Sequence, residues 1–146
     1  MARAEISVII NRPVADVFAI LSNPENNPKW SSGSIEAKMT SAGPIGVGST
    51  SRSVAKFLGR RIESELEITE FEANRKFAAQ SKSGPFPFQA STTFEPADGG
   101  TRVSTTVEAE PGGFFKLAEP LLVKMAKRQF QGDLDNLKDL MEAKAL

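Results

Sequence analysis

One long helical pattern closes the chain, and almost everything before it reads as short strands and turns. The pattern runs from residue 115 to residue 143. Its apolar positions recur every three or four residues and form one buried stripe: Leu122, Ala126, Phe130, Leu134, Leu137 and Met141. A late amphipathic helix that packs on a curved antiparallel sheet encloses a space between the two. The side chains that line this space then decide what the protein can do.

Two residues interrupt the helical pattern. Pro120 has no backbone N–H, so we expect a kink or a restart of the helix between Lys116 and Pro120. Gly132 costs about 1 kcal/mol relative to alanine inside a helix. We expect Gly132 to let the helix approach the sheet closely or to leave room for a ligand.

The region before the helix predicts seven strands, with two short helices after the first strand. Residues 4–10 alternate apolar and polar side chains, which is typical of a strand. Pro13 opens a short helix that ends before Pro24. We expect a second helix or turn from Glu25 to Lys29, directly followed by Trp30.

Charges predict the register of the central hairpin. If Gly59-Arg60 forms a two-residue turn, Lys56 faces Glu63 and Arg52 faces Glu67. Both opposite-charge pairs then lie on one outer face, where each contributes about 0.2–1 kcal/mol. A shift by one residue would turn these charges inward, so we expect this register to be strongly preferred.

The last hairpin follows the same logic, since Phe94 opposite Val103 places Glu95 against Arg102 on the outside. The inward face of the sheet then carries apolar and hydroxyl side chains and no ionisable group. Aromatic and apolar walls with a few hydroxyls are typical of ligand pockets. We therefore predict the following ligand-contacting residues: Trp30, Ser53, Phe57, Ser64, Leu66, Phe77, Phe88, Ala90, Thr92, Phe94, Thr105, Phe115, Leu122, Met125 and Phe130.

Composition narrows the chemistry further. The 146 residues fit a single domain spanning 1–146, and 18 basic residues balance 18 acidic ones. This balance gives no general attraction to nucleic acid or to anionic membranes. Cysteine, histidine and tyrosine are absent, which removes thiolate nucleophiles, the commonest metal ligand and the usual base near neutral pH. We expect no cofactor, no metal and no catalytic residue.

The chain also lacks the apolar segments that membranes require. No window approaches the roughly 20 apolar residues of a membrane-spanning helix, and residues 1–5 do not begin a signal peptide. We expect a cytoplasmic protein, a monomer or homodimer, with no insertion into membranes and no nucleic-acid partner.

The order of strand, two short helices, six strands and long helix resembles the α+β helix-grip fold of the START/Bet v 1-like superfamily. In that fold a seven-stranded curved antiparallel sheet wraps around a long C-terminal helix. Particular residues resemble the polyketide cyclase/dehydrase-like branch of this superfamily, also called SRPBCC: Pro13, Val17-Phe18, Leu21, Asn23-Pro24, Asn27-Pro28-Lys29-Trp30, Gly46-Val47-Gly48, Gly99-Gly100-Thr101-Arg102-Val103, Leu134-Asp135-Asn136-Leu137-Lys138 and Glu142.

The resemblance implies three functions, and the fold alone does not choose among them. The first is the binding or transport of a small hydrophobic ligand of lipid, polyketide or isoprenoid type, held between the sheet and the long helix. The second is a cyclase or dehydratase that acts on an aromatic polyketide-like substrate. The third is a protein-interaction module of the chaperone-activator type. Because proton transfer needs a positioned acid or base, an inward face without ionisable groups favours binding.

Overall fold

Within residues 2–57, 59–110 and 119–146, which the computed structural model describes, seven antiparallel strands form one curved sheet beside a long helix. The order of strands in the sheet is β1-β7-β6-β5-β4-β3-β2. The strands are β1 (Ala2–Ile10), β2 (Ser34–Met39), β3 (Thr50–Phe57), β4 (Arg60–Glu72), β5 (Lys76–Ser83), β6 (Phe88–Ala97) and β7 (Gly100–Ala109). The helices are α1 (Val14–Leu21), α2 (Asn27–Trp30) and α3 (Glu119–Glu142). The predicted helix-grip architecture is confirmed.

The first short helix begins where the sequence signal places it, whereas the second helical segment, expected from Glu25 to Lys29, runs from Pro24 to Trp30. Pro13 precedes α1, which buries Val17, Phe18 and Leu21 on one face. Asn23 then accepts a hydrogen bond from the backbone N–H of Glu25 at 3.1 Å and starts a 3₁₀ turn (Pro24–Asn26) that leads into α2.

The β6–β7 hairpin has the predicted register, with Phe94 opposite Val103 and Glu95 opposite Arg102. Its two-residue turn consists of Asp98 and Gly99, whose φ angles are 47° and 79°. Positive φ at both positions is typical of the type I′ turn, whose twist matches the twist of paired strands.

The predicted register of the β3–β4 hairpin is wrong by two residues. Phe57 pairs with Arg60, so Arg60 belongs to β4 and not to the turn. Gly59 takes the second turn position with a φ of 79°, a left-handed conformation that glycine adopts at little cost. Because the shift is even, every side chain keeps its predicted face.

The outer charges of this hairpin therefore pair differently. Arg52 lies opposite Glu65, and neither Lys56–Glu63 nor Arg52–Glu67 is a cross-strand pair. Glu63 instead accepts hydrogen bonds from Arg61 at 3.1 Å and from Arg52 at 3.0 Å. The bond from Arg61, together with the charges of Arg52 and Arg61, lowers the pKa of Glu63 below its usual value.

The described part of α3 ends at Glu142, one residue before the predicted end. Phe115 and most of the expected kink between Lys116 and Pro120 lie outside the described residues. Gly132 is exposed, and no atom lies within 4 Å of the position that a Cβ would take. The two roles expected for Gly132 are therefore wrong, because it faces solvent rather than the sheet.

Apolar side chains fill the end of the molecule where α1 and the second half of α3 meet the sheet. Phe18 packs edge-to-face on Phe94 and Phe71, with ring centroids 5.1 and 5.3 Å away. We call this cluster the packed end; its buried residues are Ile6, Ile10, Val17, Phe18, Leu21, Phe94, Val103, Leu134, Leu137 and Met141. Burial of each large side chain stabilises the fold by about 1.5–3 kcal/mol.

Polar contacts tie the second half of α3 to β1 and to the turn that follows it. Gln131 donates to the carbonyl of Ser7 at 3.0 Å, and Lys138 donates to the carbonyl of Ile9 at 2.8 Å. Arg12 donates to the carbonyls of Met141 and Leu146 at 2.7 and 3.2 Å. Because later helix residues meet later residues of β1, α3 runs along β1 in the same direction.

We predict that Glu142 titrates below the usual carboxyl range because of these contacts. The hydrogen bond from Lys138, followed by the one from the backbone N–H of Asn11, lowers the pKa of Glu142. A carboxyl group whose pKa is lower in the folded state stabilises the fold when it is ionised. The stabilisation from Glu142 is therefore present above the usual pKa of about 4.5 and is lost as the pH falls through the lower folded-state value. Lys138→Met should raise the pKa of Glu142, as measured by carboxyl-carbon NMR titration, whereas Lys144→Met should not. An unchanged pKa in the Lys138 variant would contradict the assignment.

Candidate functional site

A row of small side chains crosses the inward face of four neighbouring strands. Ala4 of β1 pairs with Val107 of β7, Val107 with Ala90 of β6, and Ala90 with Ala79 of β5. We call these four residues the small-residue row. Val107, Ala90 and Ala79 are only partly buried, so space wide enough for water lies against them. Side chains this short cannot fill the distance between a sheet and a helix, which lie about 10 Å apart when packed.

Two threonines lie directly beside the small-residue row, toward the packed end. Thr92 and Thr105 are opposite each other, and their hydroxyl oxygens are 2.8 Å apart. One hydroxyl donates to the other, which leaves one O–H free to donate to a third group. Both side chains keep accessible surface, so a molecule bound over the row can reach this hydroxyl pair.

The first half of α3 meets the row at its β1 end. Val123 and Lys127 line a surface pocket of about 390 Å³ together with Ala4 and its neighbours Arg3 and Glu5. Farther along the helix, Phe130 stacks on Phe57 at the end of β3, with ring centroids 6.3 Å apart. We call the space between the small-residue row, the threonine pair and residues 122–130 of α3 the hollow. Its helix side includes Leu122, Ala126 and Phe130, all partly buried.

The described inward face of β3 to β7 carries no charged side chain. The inward positions of β3 to β7 carry alanine, serine, threonine and large apolar side chains, without an ionisable group. Glu63, Glu65 and Glu67 alternate with these positions on the other face. Because burial of an unpaired charge is costly, such a lining favours an uncharged molecule.

Two buried polar atoms have no hydrogen-bond partner among the described residues. They are the indole nitrogen of Trp30 and the hydroxyl oxygen of Ser64, whose residue is 5% exposed. A buried donor without a partner costs about 1–3 kcal/mol. Gly84 lies against Ser64, and a Cβ at Gly84 would be 2.7 Å from its hydroxyl oxygen. Each of the two unpaired groups keeps one hydrogen-bond donor.

Asp133 is a buried carboxylate that the sequence interpretation missed. It is 5% exposed and accepts hydrogen bonds from the hydroxyls of Ser31 and Ser32, at 3.1 and 2.7 Å, and from the Ser32 N–H at 3.0 Å. These bonds fix the loop that follows Trp30. The helical spacing does indicate that Asp133 is buried, because it lies three residues after Phe130 and four before Leu137, on the buried stripe.

The structure brings only some of the predicted residues to the hollow. Phe94 is buried within the packed end, and Trp30, Phe77 and Phe130 pack against it. Met125 lies on the outer face of α3 with 43% of its surface exposed, and Phe115 lies outside the described residues. The predicted residues that surround the hollow are Ala90, Thr92, Thr105, Leu122, Phe57 and Phe130, while those elsewhere on the inward face are Ser53, Ser64, Leu66 and Phe88.

Comparison with protein families identifies the class of protein that this fold and lining belong to. Residues 1–142 match the family described as polyketide cyclase / dehydrase and lipid transport. The chain belongs to this family. A comparison with the curated proteins finds no match to this sequence.

Solved structures share the fold at low sequence identity. The protein TTHA0849 of Thermus thermophilus is 20% identical with a TM-score of 0.84, and the match covers 99% of both chains. A START superfamily protein of Mycobacterium smegmatis is 14% identical with a TM-score of 0.72, over 94% of this chain and 99% of that one. The di-domain ARO/CYC BexL from the BE-7585A biosynthetic pathway is 14% identical with a TM-score of 0.76, over 97% of this chain and 47% of that one. These likenesses establish the fold.

Proposed function

We propose that this protein binds a small hydrophobic molecule in the hollow, with the ligand of lipid, polyketide or isoprenoid type. The proposal depends on one observation: apolar packing closes one end of the interior, whereas the small-residue row keeps accessible surface beneath the first half of α3. Apolar contact contributes about 25 cal/mol per Å² of buried area. The threonine pair orients one uncharged polar group of the ligand.

The proposal predicts that filling the hollow abolishes ligand binding. Trp30 is the single tryptophan and tyrosine is absent, so intrinsic fluorescence reports on Trp30 during titration with the apolar dye N-phenyl-1-naphthylamine. Ala90→Phe should weaken binding by about tenfold or more, because the new ring displaces at least ~55 Å² of dye contact. Gln89→Phe, on the outer face of the same strand, should bind like the wild type.

Native mass spectrometry followed by denaturation tests the proposal without a dye. A small molecule that copurifies with the wild type and is missing from Ala90→Phe supports binding in the hollow. Equal dye affinity in both phenylalanine variants would place the dye elsewhere and would contradict the proposal.

Polyketide cyclisation is the second candidate, because the family description includes it. A cavity can promote cyclisation by holding a reactive chain in a productive shape, but proton transfer needs an acid or base. Asp133 is the buried carboxylate nearest to this role in the described part of α3, and its oxygens already accept three hydrogen bonds. Binding therefore ranks above catalysis.

A further inference from the structure

The outer face of the first half of α3 combines exposed apolar and basic side chains. Leu121 and Met125 are 60% and 43% exposed, which is unusual for large apolar residues in this chain. Lys124 follows Leu121 by three residues, and Arg128 follows Met125 by three and Lys124 by four. Residues at these spacings share one side of a helix, so all four lie together. With Lys127 and Gln131 they line an open groove of about 620 Å³. We call this surface the basic-apolar face.

The charge of this face is local and unbalanced. Residues 120–132 include Lys124, Lys127 and Arg128 but no aspartate or glutamate, although basic and acidic residues balance over the whole chain. In the part of the chain that the structure describes, none of the three cations has an ion-pair partner. Apart from Glu119 at the start of α3, the acidic residues of the helix lie from Asp133 onward, in the half of α3 that packs against the rest of the fold.

The same half-helix lacks polar attachment to the sheet. The described hydrogen bonds from α3 side chains to other elements begin at Gln131. Before that residue the helix meets the sheet through partly buried apolar side chains such as Leu122 and Ala126. The basic-apolar face therefore lies on the half of α3 beside the hollow, which among the described residues has no side-chain hydrogen bond to the sheet before Gln131.

We propose that the basic-apolar face docks on an anionic phospholipid surface. Lys124, Lys127 and Arg128 lie near the phosphate headgroups, while Leu121 and Met125 enter the boundary between headgroups and acyl chains. Basic residues interleaved with exposed apolar ones along one side of a helix are typical of helices that lie in this interface. Docking would bring the half of α3 beside the hollow against the lipid, although it depends on the outer face alone and not on an occupied hollow.

Cosedimentation with vesicles tests this docking. The wild type should sediment with vesicles of equal parts phosphatidylglycerol and phosphatidylcholine, and much less with phosphatidylcholine alone. Each neutralised cation should weaken the partition coefficient about fivefold, so Lys124→Gln with Arg128→Gln should lose about 25-fold. The matched pair Lys38→Gln with Lys82→Gln removes the same charge from exposed positions in β2 and β5 and should bind like the wild type. Leu121→Ser should also weaken binding, while added salt should suppress it.

Two results would overturn the docking proposal. The first is a wild type that stays in the supernatant with anionic vesicles. The second is an equal loss of binding in both double variants, which would indicate attraction by overall charge. Dye titration of the Lys124/Arg128 variant in vesicle-free buffer keeps this test separate from the proposed function, since ligand binding should be unchanged there.

Discussion

Replacement of Gly100 by alanine should destabilise the fold by about 3 kcal/mol, at the upper end for overpacking of a tight contact. Gly100 follows the β6–β7 turn and lies against the chain where β1 ends. An added Cβ would fall 2.2 Å from the carbonyl oxygen of Ile10 and 2.9 Å from the Cα of Asn11. Both atoms belong to backbone, so no side-chain rotation relieves the clash.

The segment that an alanine at position 100 would displace, where β1 ends, also holds the end of α3. Thr101 is fully buried and donates its hydroxyl to the carbonyl of Arg12 at 2.9 Å. Arg12 in turn binds the carbonyls at the end of the chain. Displacement of this segment therefore loosens two elements together, which is why the effect should exceed that of an ordinary surface substitution.

Urea denaturation followed by circular dichroism measures the loss, and two other glycines provide controls. Gly46→Ala should change the free energy of unfolding by less than about 0.5 kcal/mol, because no atom lies within 4 Å of its Cβ position. Gly132→Ala should stabilise the fold by about 1 kcal/mol, since alanine favours the helix and meets no neighbour. A Gly100→Ala variant as stable as Gly46→Ala would show that β1 yields to the added methyl group.

The sequence predicts well which face of the sheet a side chain occupies, and less well which residues pair across neighbouring strands. Alternation places charges outside whatever the pairing, so an error of two residues leaves the face unchanged. In the β6–β7 hairpin, Asp98-Gly99 accepts positive φ at both turn positions, and the predicted pairing is confirmed. In the β3–β4 hairpin, the prediction used charge pairs worth less than about 1 kcal/mol each. Such pairs are too weak to decide between registers that bury the same residues.

The candidate site depends on distances that periodicity cannot supply. The helical stripe predicts that Leu122 and Phe130 face inward, but Met125 lies near the edge of that stripe and turns to solvent. Phe94 points to the inward face of the sheet, as a residue that lines a cavity would. It packs on Phe18 instead, because α1 lies over that end of the sheet. The small-residue row emerges only when Ala4, Val107, Ala90 and Ala79 are aligned across four strands. That alignment requires three registers at once.

Removal of the buried carboxylate of Asp133 should cost about 3 kcal/mol and change the surroundings of Trp30. Asp133→Ala leaves the hydroxyls of Ser31 and Ser32 and one N–H without their acceptor, and hydrogen bonds to a charged group contribute about 1.5–3 kcal/mol each. The loss is smaller than the sum of the three bonds, because the freed loop can turn toward water. Trp30 is the only source of tryptophan emission, so its spectrum should shift to longer wavelength as the loop loosens.

Two variants separate this anchoring role from a general effect of charge on α3. Asp135→Ala removes an exposed carboxylate that contacts Gln131 within the same helix, and it should change stability by less than about 0.5 kcal/mol with no shift in emission. Asp133→Asn keeps one acceptor oxygen and should fall between Asp133→Ala and the wild type. If Asp133→Ala and Asp135→Ala had equal midpoints and equal spectra, Asp133 would not anchor the loop. Trp30 would then be held by its packing against the packed end and by the hydrogen bond that Asn136 of α3 donates to its carbonyl.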